Sequence, residues 1–169
     1  MKRLILIGGP MGVGKTTVCK ELMERLAPAA FLDGDWCWYM SPFLVNDETK
    51  AMVKDNITAV LDRYLQSPEL ENVIFGWVLH EQEILDELLS RLHTNGVDVK
   101  VVTLMCTEKT LRQRLQRDVL TGLREKSVIE RAVDRLACCE KLPYTKIWTD
   151  GLSVGEVVGR VLDLLQPIR

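Results

Sequence analysis

The sequence has no apolar run long enough to span a bilayer. Its longest, near Leu4–Ile7 and Val101–Met105, are far shorter than the roughly 20 residues a membrane helix needs. Two basic and four apolar residues precede Gly8-Gly9, too little for a secretory leader, so the reading is a cytoplasmic protein. There are only two histidines, and none of the five cysteines (Cys19, Cys37, Cys106, Cys138, Cys139) forms a CxxC pair. That is poor material for a disulfide framework or a zinc site and predicts reduced, mostly buried thiols. No repeat, low-complexity tract or Pro/Gly/Ser-rich linker divides the chain, and 169 residues then read as one domain. Aromatics are scarce at 6%, which makes any clustering of them informative.

Hydrophobic residues at 47% and charged residues at 27% are ordinary for a globular fold and exclude disordered and fibrous classes. The net charge of −2 argues against a broad nucleic-acid surface. Its distribution is uneven. Pro42–Asp98 holds 4 Lys/Arg against 11 Asp/Glu, whereas Thr107–Lys141 holds 9 against 6. Such a local basic segment suits an anionic ligand, or a solvated helix face laced with ion pairs.

Short apolar strands alternate with helical patterns along the chain. Leu4–Ile7, Ala29–Leu32, Val73–Val78, Val97–Met105 and a weak Lys146–Thr149 read as strands. Helical periods cover Thr16–Leu26, Asp47–Leu65, Glu83–Leu92, Thr107 to about Arg117, Ser127–Glu140 and Ser153–Leu165. Asn46 or Asp47, Thr107, Ser127 and Ser153 are candidate N-caps. Strands with little polar alternation imply helices on both sheet faces, hence an α/β three-layer fold around a parallel sheet.

Gly9-Pro10-Met11-Gly12-Val13-Gly14-Lys15-Thr16 fits GxxxxGK[ST] at a strand end and helix start. At this chain's own residue frequencies, about 0.004 matches would arise by chance. The chemistry follows from the residue types. Glycines let backbone N–H groups converge on an anion, and the helix N-terminus adds partial positive charge. Lys15, expected to be exposed and to pack nothing, would reach the β- and γ-phosphates. Thr16 offers a hydroxyl to Mg²⁺, a hard ion that takes oxygen ligands, and Thr17 can bond an α-phosphate. The motif therefore implies ATP with Mg²⁺, bound by Gly9 through Thr17. No NKxD-type base-reading segment is present, which sets GTPases aside. The third strand ends Phe75-Gly76-Trp77 without a carboxylate, which sets motor and AAA-type ATPases aside.

With Leu32-Asp33-Gly34-Asp35 and Leu111–Arg124, the loop makes the chain resemble the P-loop small-molecule and nucleotide kinases: gluconate and shikimate kinases, adenylylsulfate kinase, chloramphenicol phosphotransferase and polynucleotide 5′-kinase. The resemblance implies a five-stranded sheet of order 2-3-1-4-5 and a helical lid at about 117–127. It implies a carboxylate base, Asp35 with Asp33 as the alternative, and lid arginines, Arg117 and Arg124, closing on the phosphates. It places Thr149-Asp150-Gly151 beside the adenine. Arg112 and Arg114 are assigned to solvent or the sheet edge, and Arg131 and Arg135 could contribute to the lid. His80 is a substrate contact or simply precedes a helix, and His93 has a capping role. Trp36-Cys37-Trp38-Tyr39-Met40 replaces the asparagine and arginine of adenylylsulfate kinase, and could line a pocket for a flat or apolar acceptor or pack a substrate lobe. Gly76-Trp77-Val78-Leu79-His80 lacks the arginine of monophosphate kinases. The expected activity is transfer of the ATP γ-phosphoryl group to a hydroxyl of a small molecule, by a monomer or homodimer. The alternatives are a nucleotide or polynucleotide 5′-end kinase and a slow ATP-hydrolysing switch.

Overall fold

The four residues Leu4 to Ile7 have no polar neighbour among them because both of their faces are covered. Leu4 and Leu6 point to one side of the sheet, Ile5 and Ile7 to the other, and all four are fully buried. In the computed structural model, which describes residues 2–166, they form the middle of β1 (Arg3–Gly8). The chain continues through α1 (Lys15–Arg25), β2 (Ala29–Asp33), a short 3₁₀ turn (Gly34–Trp38), α2 (Asp47–Gln66), β3 (Asn72–Gly76) and α3 (Gln82–Ser90). It ends with β4 (Asp98–Met105), α4 (Glu108–Leu120), α5 (Val128–Lys141), β5 (Thr145–Trp148) and α6 (Val154–Leu164).

All pairings are parallel, and the strand order is β2-β3-β1-β4-β5, as the family resemblance implied. Parallel neighbours need a crossover, and each crossover here lays a helix on the sheet. Val18, Cys19 and Leu22 of α1 pack with Leu111 and Leu115 of α4, and with α5 and α6, on the face of Ile5 and Ile7. Val53, Ile57 and Leu61 of α2, with Leu85 and Leu88 of α3, cover the face of Leu4 and Leu6. The carboxyl ends of β1, β2 and β3 thus lie side by side, with Asp33 level with Gly76 and Gly76 level with Ile7. In an open parallel sheet this edge, where strand order reverses, is where ligands bind.

The helix starts follow their caps. Asn46, rather than Asp47, closes a reciprocal capping box with Thr49 at α2, and Ser153 does so with Glu156 at α6. Thr107 caps α4 through Thr110, whereas Ser127 sits at the start of α5 without a side-chain cap bond. The five thiols are free; Cys19, Cys106 and Cys139 are buried. Among the described residues, no helix is long and apolar enough to cross a membrane.

Candidate active site

The loop between β1 and α1 begins with a glycine that nothing else could replace. Gly9 has φ +137°, and a Cβ there would lie 2.6 Å from the backbone oxygen of Leu104. Gly14 also has positive φ and serves as the N-cap of α1 without any side-chain cap bond. A Cβ on Gly14 would meet nothing within 4 Å, and no acidic residue stands in the first turn. The first amides of α1 therefore face open space with no protein acceptor from a cap, the arrangement that binds an anion. Lys15 is partly buried rather than exposed. Its Nζ donates to the carbonyls of Gly9 and Pro10, each at 2.9 Å, and so lies back along the loop. Burial lowers its pKa to about 8, against the opposing charges of Asp35 and Asp33.

The end of β2 brings a carboxylate to α1. Thr16 Oγ1 donates to Asp33 Oδ2 at 2.6 Å. The other oxygen, Oδ1, accepts the Asp35 amide at 3.0 Å and caps the 3₁₀ turn. Asp33 is buried, with both oxygens engaged. The pair of a hydroxyl and a carboxylate at the start of an uncapped helix is a hard-oxygen donor set beside a phosphate cradle, and it fits a magnesium nucleotide. A carboxylate that β3 lacks at its end thus stands at the end of the neighbouring strand.

Asp35 is left free and opens on a cavity of about 1000 Å³. Loss of water around its carboxyl and the charge of Asp33 raise its pKa, against Lys15, the Trp77 indole and Arg124. Trp77 lies flat on the turn: a Cβ on Gly34 would come within 2.5 Å of its ring. Arg124, Arg131 and Arg135 also line the cavity, as does His80, whose Nδ1 sits 3.0 Å from the Val78 carbonyl. Arg135 reaches the phosphate loop at Met11 Sδ, 3.6 Å away.

Of the two arginines expected over the phosphates, only Arg124 lies at the cavity. Arg117 is exposed on α4, which continues to Leu120 instead of ending near 117, and Arg117 is not among the lining residues. Arg124 is already held, its Nε donating to Asp118 Oδ2 at 3.1 Å. Arg114, assigned to solvent or the sheet edge, instead donates to the Val13 carbonyl and to Thr149 Oγ1, both at 3.1 Å. The signal was there: Arg114 stands three residues after the buried Leu111 and one before the buried Leu115, on the inward side of α4. Asp150 accepts from the Thr107 amide and hydroxyl, tying the loop after β5 to α4. Arg112 pairs with Glu108 and Glu130 on the surface. His93 does not cap a helix; its Nδ1 lies 2.7 Å from Asp62 Oδ2 of α2.

A family model described as an AAA domain matches residues 5–133, the loop and all its partners up to the start of α5. The chain belongs to that family. The description is one that the bare third strand had set aside. Several of its likenesses are named kinases. It is 27% identical to a shikimate kinase of Buchnera aphidicola over 99% of this chain and 98% of the relative. Among solved structures it resembles the tunicamycin resistance protein of Deinococcus radiodurans, with TM-score 0.74 and 23% identity over 99% of this chain and 98% of that one. It also resembles a shikimate kinase from Acinetobacter baumannii, with TM-score 0.66 and 23% identity over 98% and 93%. The chain has the fold of the P-loop small-molecule kinases.

Proposed function

We propose that this protein transfers the γ-phosphoryl group of ATP to a hydroxyl of a small molecule, with Asp35 as general base. One observation carries the reading: of the two carboxylates at the end of β2 and just beyond it, Asp33 is consumed by Thr16 and the turn, and Asp35 opens on the cavity. The named kinases among its full-length relatives support the reaction class.

The amides at the start of α1 and the Lys15 ammonium hold the phosphates. Thr16 and Asp33 would hold the magnesium ion, which when bound neutralises phosphate charge. The acceptor hydroxyl approaches from the cavity. Its oxygen bonds to the γ-phosphorus while the bond to the β,γ-bridging oxygen breaks, and ADP leaves with that electron pair. Asp35 takes the hydroxyl proton. Arg124, Arg131 and Arg135 face the charge that spreads over the transferring group.

The test is incubation with labelled ATP and a mixture of candidate alcohols, with products resolved by mass. Asp35→Asn should lower transfer by about 10²-fold or more while nearly keeping ATP affinity. Lys15→Ala should abolish turnover in a folded protein. Label appearing on an oligonucleotide 5′ end would identify a 5′-end kinase, and label released only as phosphate would identify a hydrolysing switch.

A further inference from the structure

We infer that the acceptor is an alcohol built on a planar apolar body, such as an aryl or fused-ring group. The inference rests on the phosphotransfer reading and names the substrate class of the same site. The cavity next to Asp35 is the acceptor side, because it touches the phosphate loop only at Met11 and does not include Lys15, Thr16 or the Arg114–Thr149 contact.

Its lining is specific. Four of the chain's ten aromatic residues, Trp38, Tyr39, Phe43 and Trp77, face this one cavity. No Ser, Thr, Asn or Gln is among the described lining residues. Its polar lining is ionisable, nine side chains of which five are Lys or Arg. Aromatic faces instead reward a flat partner with large contact area and offset stacking. Asp35 marks where the hydroxyl reacts, with Arg124 among the charges that act on it.

The wall also has a fixed part and an uncovered part. Trp77 is wedged on Gly34, with Phe75 behind it at a ring separation of 6.2 Å. Trp38 and Phe43 brace each other at 5.9 Å. Tyr39, by contrast, is 98% exposed and Phe43 67% exposed. Among the described residues, five of the eleven exposed large apolar side chains fall within Trp36–Val45, and three of these, Tyr39, Phe43 and Val45, line this cavity. Such a local concentration of bare apolar surface suits the covering of a ligand. The ring of the acceptor fills the space between Trp77 and this segment, with its hydroxyl at Asp35.

The probes are phenylethanol and naphthylethanol, compared with shikimate and gluconate, each with labelled ATP. The expected result is a kcat/KM at least about tenfold higher for the aryl alcohols, and a KM for naphthylethanol raised about tenfold in the double variant Tyr39→Ala, Phe43→Ala with kcat within about twofold. Because both side chains are exposed, that variant keeps its core. Preference for the polyhydroxy acids, or an unchanged KM in the variant, overturns the inference and leaves phosphotransfer standing. ATP bound but no label on any alcohol overturns both.

Discussion

Asp33 and Asp35 stand two positions apart and differ in everything that decides their chemistry. Asp33 is buried and bonded through both oxygens; Asp35 is open to the cavity with its pKa raised. A base must be ionised, so the acid limb of the pH profile of transfer should fall above the ordinary carboxylate range, and Asp35→Asn should erase it. Lys15 sets the other limb. Its ammonium titrates at about 8 in the free protein, and only the charged form attracts phosphate. The kcat/KM for ATP should therefore be level between the Asp35 limb and pH 8 and decline as pH rises through about 8. Bound phosphates restore the proton, so kcat should hold to higher pH. Gly34 gives a third expectation. Alanine there places a carbon 2.5 Å from the Trp77 ring and should cost about 1–3 kcal/mol in urea unfolding while displacing the indole emission. Gly159→Ala in α6, where a Cβ meets nothing within 4 Å, should instead stabilise by about 0.5–1 kcal/mol. The phosphate loop was legible because its glycines and lysine answer to local rules. The division of labour between the two aspartates was not, because it depends on Thr16 arriving from another element.

The element that distinguishes an open from a closed kinase is the connection between α4 and α5. Leu120 and Leu123 are 86% and 77% exposed there, and Arg124 leans on Asp118. Asp118 already pairs with Arg124. Closure then requires Arg124 to exchange one anion for another, a smaller change than capturing an unpaired charge. Amide exchange across residues 121–127 should slow when an ATP analogue and acceptor are both bound, and Asp118→Ala should strengthen that response. The length of α4 was misread at Asp118-Val119-Leu120. Leu111, Leu115 and Val119 keep the four-residue spacing, and Val119 packs against the core, so the helical stripe had not ended. Arg114 lies on that same side, which is why it faces the phosphate loop.

Over the whole molecule, stability resides in the central strands. Ile74 of β3 and Ile5 of β1 are fully buried on the same face, and Ile74→Ala should cost about 2–5 kcal/mol, visible as a lower urea midpoint with unchanged slope. The layered class was legible in the sequence because strands covered on both faces lose their polar alternation. The order of the strands was not, since every buried parallel strand reads as the same apolar run; resemblance supplied it. That order sets β2 one strand away from β1, and with it Asp33 against Thr16. One carboxylate consequently holds the start of α1 with one oxygen and the turn after β2 with the other. On the proposed function, the two substrates are therefore not independent guests. Whatever free energy the nucleotide contributes to fixing Asp33 is passed to the loop that carries Asp35 and the aromatic wall, and thermodynamics obliges the acceptor to return the same factor. Calorimetric titration of an ATP analogue, with and without acceptor, should show synergy of roughly 5–150-fold, falling towards none in Asp33→Asn, where one of the two oxygens is gone.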